Sequence, residues 1–300
     1  MSAMIIDGLA VARALRATIR ARAMDLASNG VTPGLVVILV GRNPASELYV
    51  RNKVRACTDA GIASRVIRFP DTADPVELLA RMHDLNADPA VHGILVQLPL
   101  PPQIPVRSVL EAIASEKDVD GFGLYNVGGL VIGDTVFPPC TPYGVLKLLE
   151  HEKIPVKGRN ATVVGASNIV GKPMALMLLE QEATVAVCHI RTRNLQEYTA
   201  LADILVVAAG RPNLIVAEMV RPGAVVIDVG INRDAEGHFV GDVDFEAVRQ
   251  KASYITPVPG GVGPMTVTML LENTIVAAER TLTSRLMRVA RHSTSVEEPV

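Results

Sequence analysis

Aromatic residues are scarce in this chain of 300 residues: they make up 3% of it, and tryptophan is absent. Apolar residues as a whole make up 49%, so the core must be built from aliphatic side chains. Cysteine is also rare. Cys57, Cys140 and Cys188 are widely spaced and match neither a disulfide framework nor a metal-binding cysteine motif. We therefore expect a reducing compartment, the cytoplasm, and no metal site.

Strong charge and long apolar runs are lacking too. The formal net charge is −2, which gives no electrostatic attraction to nucleic acid or to an anionic membrane, so we expect neither as a partner. No run approaches the roughly 18 consecutive apolar residues that a membrane-spanning helix needs. The arginine-rich N-terminus resembles a mitochondrial transit peptide, but Val11, Leu15 and Ile19 recur at helical spacing and Asp7 interrupts it. A first packed helix is the preferred interpretation.

Short Val/Ile/Leu runs alternate with helical patterns along the chain. Continuous apolar runs of this kind indicate parallel strands covered on both faces. The predicted strands are residues 35–40, 64–69, 93–98, 161–165, 183–188, 203–209 and 223–230. The rhythm stops in a Pro/Gly-rich passage and then restarts. The pattern predicts an α/β protein with two doubly wound parallel-sheet domains, the second Rossmann-like, and a cleft between them.

The domain boundaries follow from that interruption. We expect a first domain over 1–139, completed by a C-terminal helix over 266–290, and a second domain over 140–265. A connecting helix over 140–150 would have Thr141 as its N-cap and Pro142 in its first position. The polar residues 291–300 are predicted to be a frayed tail.

The segment ATVVGASNIVGKP, residues 161–173, predicts a strand, a glycine turn and a helix start. Gly165 ends the strand and Gly171 allows the helix to pack closely on it. Exposed N–H groups at such a helix start suit a pyrophosphate. The spacing is not G-x-G-x-x-G, so a tight turn without a ligand stays open as an alternative.

The next strand ends in CHIRTRN, which contains Arg191 and Arg193 and no carboxylate. An acidic residue at this place usually binds the ribose 2′-hydroxyl of NAD, whereas cationic residues favour the 2′-phosphate of NADP. A solvated basic loop is the alternative. Gly230 and Ile231 follow a later strand at the same predicted edge of the sheet. The loop PVPGGVGPMT, 257–266, permits close backbone approach to a flat ligand.

A second set of polar residues lies in the first domain. Asn43 can cap a helix on which Tyr49 and Lys53 are four positions apart, on the flank of an apolar stripe. A partly buried lysine can exchange protons near neutral pH. Gln97 is the one polar residue of GILVQL, and Asp120 lies in KDVDGF. Each also has an ordinary structural interpretation: a surface Tyr–Lys pair, a satisfied amide, a turn carboxylate.

The Tyr-x-x-x-Lys pattern also occurs in short-chain dehydrogenases, but their glycine turn precedes the pair, whereas here it follows by more than a hundred residues. Together VGRNPASELYVRNK, GILVQLPLP, KDVDGF, VVGASNIVGKP, VIDVGIN and YITPVPGGVGPMT resemble another family. They are similar, in order and spacing over roughly residues 4–280, to the bifunctional methylenetetrahydrofolate dehydrogenase/methenyltetrahydrofolate cyclohydrolases.

The resemblance implies oxidation of 5,10-methylenetetrahydrofolate by NADP, followed by hydrolysis of the methenyl product to 10-formyltetrahydrofolate. It also implies a homodimer. Lys53 would be the central catalytic residue, oriented by Gln97, with Tyr49 stacked on the folate and Asp120 hydrogen-bonded to the pterin. The other substrate contacts it implies are Leu98, Pro99, Pro259, Gly260 and Gly261. The cofactor contacts it implies are Gly165, Ala166, Ser167, Ile169, Val170, Arg191, Thr192, Arg193, Gly230 and Ile231.

Some positions depart from the family's pattern. Ala166 stands where many members have Arg, and Ile190 where many have Ser, so the NADP preference depends on Arg191 and Arg193. The stretch 121–128 lacks the His-Pro of many bacterial members. Two alternatives stay open at this point: an enzyme with only one of the two activities, and a non-catalytic folate- or dinucleotide-sensing protein.

Overall fold

The computed structural model describes residues 2–294, with side chains through residue 287. Internal contacts divide the chain into two compact units. Unit I comprises Met1–Leu15 and Val127–Met269, and unit II comprises Arg16–Asn126 and Leu270–Val300. Within the described residues, no helix is both long enough and apolar enough to cross a bilayer.

The elements alternate along the chain as the apolar runs indicate. In chain order the helices are α1 (Gly8–Ser28), α2 (Pro44–Ala60), α3 (Pro75–Ala87), α4 (Val106–Glu111), α5 (Leu124–Ile132), α6 (Cys140–His151), α7 (Gly171–Glu180), α8 (Leu195–Thr199), α9 (Phe245–Arg249) and α10 (Val262–Thr294). The strands are β1 (Met4–Ile5), β2 (Gly34–Val40), β3 (Ala63–Phe69), β4 (Gly93–Val96), β5 (Asn160–Val164), β6 (Thr184–Cys188), β7 (Ile204–Val207), β8 (Val225–Asp228), β9 (Asn232–Arg233), β10 (Phe239–Val240) and β11 (Tyr254–Ile255).

Unit I contains a six-stranded parallel sheet in the order β1-β11-β8-β7-β5-β6. Its central strands β7 and β8 are buried along their whole length, because helices cover both faces of a parallel sheet. Strand β1 closes one edge beside β11, and just before it the Ala3 N–H donates to the Arg249 carbonyl at 2.7 Å. A separate antiparallel hairpin is formed by β9 and β10.

Unit II contains a three-stranded parallel sheet in the order β3-β2-β4. The central strand β2 is buried at every residue, with Val36 opposite Ile94 in the register with β4. One face packs against Leu78 and Met82 of α3, both completely buried. The carboxyl ends of these parallel strands meet at one edge of the sheet, where Gln97 follows β4.

The predicted α/β class with parallel sheets is confirmed. Several details were wrong. The runs 64–69 and 183–188 were predicted as buried strands, but β3 and β6 are edge strands with partly exposed side chains, because an apolar run does not reveal which strand lies at an edge. The run 93–98 yields a strand of only four residues, which ends before Gln97.

The helix ends also differ from the prediction. Thr141 is not an N-cap: α6 begins at Cys140, after Pro139, and has no side-chain cap hydrogen bond, and the Thr141 hydroxyl lies 3.0 Å from that of Thr266. Helix α10 begins at Val262, not at residue 266, and continues through Thr294. Residues 291–294 of the predicted frayed tail are therefore helical, and 295–300 lie outside the described residues.

Candidate active site

Helix α2 positions the Tyr49–Lys53 pair in unit II. Its N-cap is Asn43, as predicted, whose side-chain oxygen accepts from the backbone N–H groups of Ala45 at 3.0 Å and Ser46 at 3.2 Å. The buried side chain of Val50 anchors the helix on the sheet. Lys53 is half-buried on the flank of this anchor, and Tyr49 is 42% exposed.

Lys53 and Gln97 are in direct contact. The Lys53 Nζ donates to Gln97 Oε1 at 3.1 Å, while Gln97 Nε2 donates to the Leu98 carbonyl at 2.8 Å. The backbone N–H of Gln97 donates to the Ile38 carbonyl of β2 at 2.9 Å, which continues the sheet pairing. Both ends of the Gln97 amide are thereby oriented, and its oxygen faces the ammonium group. The next peptide, Leu98–Pro99, is cis.

Cys57 lies one helical turn from Lys53 and is completely buried. Burial raises the pKa of its thiol to about 12, although the positive charges of Lys53 and Arg16 partly oppose the shift. A thiol with such a pKa stays protonated at neutral pH and is a poor nucleophile. Cys57 is therefore not a candidate for nucleophilic or proton-transfer chemistry at neutral pH.

Asp118, which sequence reasoning missed, shapes the loop that carries Asp120. Its carboxylate is buried and accepts from the N–H groups of Gly121 at 3.2 Å and Gly123 at 2.7 Å and from Asn126 Nδ2 at 2.8 Å. Burial raises the pKa of Asp118, and these hydrogen bonds oppose the rise. Asp118 thus acts as a turn carboxylate, and Asp120 is half-buried beside it. Gly121 and Gly123, which donate to Asp118, were the feature of the sequence that could have indicated this turn.

The glycine turn between β5 and α7 has almost no free space. Gly165 has a φ of +120°, and a Cβ there would lie 2.1 Å from the Ala208 carbonyl oxygen. A Cβ on Gly171 would lie 1.9 Å from the Gly165 carbonyl oxygen. Ser167 Oγ accepts from the N–H groups of Val170 at 3.1 Å and Gly171 at 3.3 Å. The backbone at this helix start can therefore approach a ligand without side chains in between.

A second turn follows β6 at the same edge of the sheet, since the Gly165 N–H donates to the Cys188 carbonyl at 2.9 Å. The His189 N–H donates to Thr192 Oγ1 at 2.8 Å, and the Arg191 N–H donates to His189 Nδ1 at 3.1 Å. These bonds fix the backbone and leave Arg191 and Arg193 exposed. The turn therefore presents two positive charges near the glycine turn.

Two buried carboxylates, Asp228 and Asp242, hold the loops after β7 and β8, and sequence reasoning missed the second. Asp242 is fully buried and accepts from the N–H groups of Ala209, Gly210 and Arg211 at 2.6, 2.9 and 2.8 Å. Asp228 accepts from three backbone N–H groups, including that of Gly230 at 2.9 Å. Burial raises the pKa of Asp228 to about 7, and the negative charge of Asp242 adds to the rise.

The loop 257–263 completes this edge of unit I. The Val258–Pro259 peptide is cis, Gly260 has a φ of +108°, and the Gly261 N–H donates to the Pro257 carbonyl at 2.9 Å. The Ile231 Cδ1 lies 3.9 Å from where a Gly263 Cβ would be, so the loop adjoins the segment after β8. Pro264 lies in the first turn of α10.

These features define a class. A parallel sheet with a glycine turn at the carboxyl ends of its strands is the Rossmann-type fold that binds dinucleotides, and unit II adds an oriented lysine at the carboxyl edge of its own sheet.

Comparison with known proteins identifies the family. Residues 139–282 match the family model of the tetrahydrofolate dehydrogenase/cyclohydrolase NAD(P)-binding domain, and residues 6–120 match that of the catalytic domain. The chain belongs to the tetrahydrofolate dehydrogenase/cyclohydrolase family.

Relatives cover nearly the whole chain. The bifunctional protein FolD of Nitrosospira multiformis is 61% identical over 280 residues, 93% of this chain and 97% of that protein. The crystal structure of the bifunctional FolD of Campylobacter jejuni superposes with a TM-score of 0.92 at 52% identity, covering 93% of this chain and 99% of that one. The Trypanosoma brucei enzyme, complexed with NADP and an inhibitor, has a TM-score of 0.90 at 38% identity, with coverage of 94% and 99%.

Proposed function

We propose that this enzyme oxidises 5,10-methylenetetrahydrofolate to the methenyl cation with NADP and then hydrolyses the cation to 10-formyltetrahydrofolate. Both family domains are present in one chain. The observation that carries the proposal is the Lys53–Gln97 hydrogen bond at 3.1 Å, because only the second step requires a proton-transfer group. The reactions belong to one-carbon metabolism, and we propose the cytoplasm as their location.

The dinucleotide would be held by unit I. The backbone of Gly165, Ala166 and Ser167, with Ile169 and Val170 at the start of α7, would lie along the cofactor, and the turn that presents it requires glycine at 165, where a Cβ would collide with the Ala208 carbonyl. Arg191 and Arg193, with Thr192 between them, would neutralise a 2′-phosphate, and Gly230 and Ile231 would adjoin the nicotinamide end. Bound NADP supplies the acceptor for the two electrons of the hydride.

In the first step the methylene carbon loses a hydride, and the lone pair of the adjacent nitrogen forms the new C=N bond. No base is needed, so the chain's task is to position the substrate. Tyr49 would stack on the folate, Asp120 would hydrogen-bond the pterin, and Leu98 and Pro99 would line its pocket. Pro259, Gly260 and Gly261 would adjoin the reacting carbon. No charged side chain has to change its protonation state.

In the second step water adds to the methenyl carbon, gives up a proton, and the C–N bond on one side breaks as that nitrogen takes a proton. Lys53 would accept the first proton and deliver the second. A cation beside an ammonium group favours the neutral amine, because like charges repel. Gln97 holds the nitrogen of Lys53 through its oxygen, so the amine keeps one position during both transfers.

The predicted domain bounds, 1–139 with 266–290 for folate and 140–265 for NADP, stay our proposal for the two binding functions. The compact units have other bounds, since residues 1–15, 127–139 and 266–269 belong to unit I. We also propose a homodimer and no nucleic-acid partner. Strand β6 lies at a sheet edge, and Val187 on it is 43% exposed, which is a surface on which a second copy could pair.

The test is a spectrophotometric assay of purified protein with methylenetetrahydrofolate, comparing NADP with NAD and then following decay of the methenyl absorbance. Reduction of NADP together with decay faster than in buffer is expected. Reduction of NADP without accelerated decay of the methenyl absorbance would show an enzyme with dehydrogenase activity only. Accelerated decay without reduction of NADP would show an enzyme with cyclohydrolase activity only. Neither activity, in protein shown to be folded, would favour the sensing role.

A further inference from the structure

A cavity of about 350 Å³ lies in unit II, away from Lys53 and Gln97. It is lined by His92, which immediately precedes β4, and by Lys117 and Arg285 among others. Gln97 follows the other end of the same strand. Five residues of extended chain separate His92 from Gln97 by about 16 Å, so the cavity is distinct from the candidate active site.

His92 lies in the cavity wall with a donor that lacks a partner. The side chain is 5% exposed, and its Nδ1 accepts from the Gly34 N–H at 3.1 Å. A neutral imidazole that accepts at Nδ1 must carry its proton on Nε2. Within the described residues, Nε2 has no hydrogen-bond partner. A buried donor without an acceptor destabilises a fold, so it points to an acceptor supplied from outside the chain.

The charges around His92 suit an anion. Lys117, Arg280 and Arg285 line the cavity with one carboxylate, Glu116, which leaves two positive charges in excess. Burial and the nearby positive charges of Lys117 and Arg285 lower the pKa of His92, so the ring stays a neutral donor. Lys117 Nζ is fixed by the Leu85 carbonyl at 3.1 Å and the Asp88 carbonyl at 2.7 Å. An ammonium group has three donors, and these two acceptors are the ones that the described part of the chain provides, so one donor remains for a ligand.

We propose that this cavity binds a small molecule through an anionic oxygen, a carboxylate or a phosphate, which accepts hydrogen bonds from His92 Nε2 and Lys117. The exposed Arg285 supplies further positive charge at the rim. The site goes beyond the folate and NADP chemistry proposed above and uses none of its residues.

The experiment follows the His92 Nε2–H resonance in protein labelled with ¹⁵N-histidine. Inorganic phosphate and, separately, succinate are added at constant ionic strength, with sodium chloride as the reference salt. We expect a shift that saturates with phosphate, succinate or both, and no shift with chloride. Whichever anion saturates the site identifies the ligand group as a phosphate or a carboxylate.

Variants separate a built site from general attraction of anions. His92→Asn keeps an oxygen for the Gly34 N–H but removes the Nε2 donor, so affinity, measured by calorimetry, should fall about tenfold or more. Arg285→Gln should weaken binding several-fold. Arg20→Gln, at an exposed arginine of the same unit outside the cavity, should leave it unchanged.

An unsaturated shift with both anions, or equal affinity in His92→Asn and the unchanged protein, would overturn the proposal. If His92→Asn does not fold, the comparison of Arg285→Gln with Arg20→Gln tests the proposal. An equal loss of anion affinity in both variants would mean that no specific site exists. Because the readout is binding, loss of dehydrogenase or cyclohydrolase activity does not bear on this result.

Discussion

Lys53 has a role that a single substitution can isolate. Its side chain is half-buried beside anchors that hold α2 without it, so Lys53→Met should fold normally. General acid–base groups contribute about 10²–10⁴-fold to a rate, and we expect a loss in that range for hydrolysis of the methenyl substrate. Decay of the methenyl absorbance measures it. Lys157→Met, at an exposed lysine paired with Glu182, serves as the control. Retained hydrolysis would remove Lys53 from the mechanism.

Arg191 and Arg193 project from a turn that hydrogen bonds of His189 and Thr192 hold, so their removal should not alter the backbone. We expect Arg191→Ala combined with Arg193→Ala to raise the KM for NADP about tenfold or more while that for NAD changes little, since only NADP carries the 2′-phosphate. Steady-state kinetics with both cofactors measure this. Equal losses for both would mean that these arginines do not contact the 2′-phosphate.

Asp118 should matter for stability and, through Asp120, for folate binding. Asp118→Asn replaces one acceptor oxygen with an NH₂ group that faces other donors. We expect a loss of about 1–3 kcal/mol in the free energy of unfolding and a raised KM for folate with a smaller effect on kcat. Urea denaturation and kinetics measure the two. Asp25→Asn, at an exposed position of the same unit, should change neither. An unaltered stability would contradict the proposed support of the loop.

At the scale of whole elements, the apolar runs of β2, β5, β7 and β8 were enough to place the strands, because a strand buried on both faces consists mostly of apolar residues. The edge position of β3 had a local signal in Arg65 and Arg68, whereas that of β6 depends on strand order, which its apolar residues do not record. Gln97 was singled out because it interrupts an apolar run, and Lys53 because it lies four positions from Tyr49 on the flank of an apolar stripe. Asp118 and Asp242 were missed because most of their partners are backbone N–H groups, which every residue type except proline offers.

The junction of β5 and α7 permits a test at Gly171. A Cβ there would lie 1.9 Å from a carbonyl oxygen of the backbone, so Gly171→Ala must shift the helix away from the strand. We expect a loss of several kcal/mol in the free energy of unfolding and weaker NADP binding. The control is Gly128→Ala in α5, where a Cβ meets nothing within 4 Å and should stabilise the protein by about 0.4–1 kcal/mol. Chemical denaturation measures both variants. Equal changes in the free energy of unfolding for Gly171→Ala and Gly128→Ala would contradict the close packing at Gly171.

At the scale of the whole molecule, stability should depend on pH through Asp228. Its pKa is about 7 in the folded protein against 3.8 as the ordinary value. The folded state therefore binds the proton more tightly, and this contribution to stability is complete below pH 3.8 and is lost as the pH rises to about 7.

The free energy of unfolding in urea, measured between pH 4 and pH 8, should thus contain a decline that Asp228→Asn removes. Asp134→Asn, at an exposed carboxylate of unit I, should keep it. The same slope in the Asp228 variant and the unchanged protein would show that another group titrates.

The proposed homodimer can be tested at the β6 edge. The Thr184 N–H and the Cys188 carbonyl pair with the β5 side, so the N–H of Val187, an odd number of residues from each, faces outward. Val187→Pro removes that donor without breaking the bonds to β5, and should convert the dimer to a monomer in size-exclusion chromatography with light scattering. Val187→Thr keeps the donor and the β-branched shape, and should stay dimeric. A dimer in both variants would place the interface elsewhere.

The short strand β1 begins at a methionine, so a chain initiated at that residue would differ at the edge of the six-stranded sheet. Met4 is itself a methionine and is the first residue of that strand, and its N–H donates to the Ser253 carbonyl at 2.8 Å. A polypeptide initiated there would lack Ala3 and its bond to Arg249, and a charged amino terminus would replace the peptide N–H that pairs with Ser253. The bond from the Ile6 N–H to the Ile255 carbonyl, at 2.9 Å, would remain, so β1 would still pair with β11 but with one backbone hydrogen bond fewer. Two translation products that differ by three residues would thus differ in how firmly the last strand of the sheet is held.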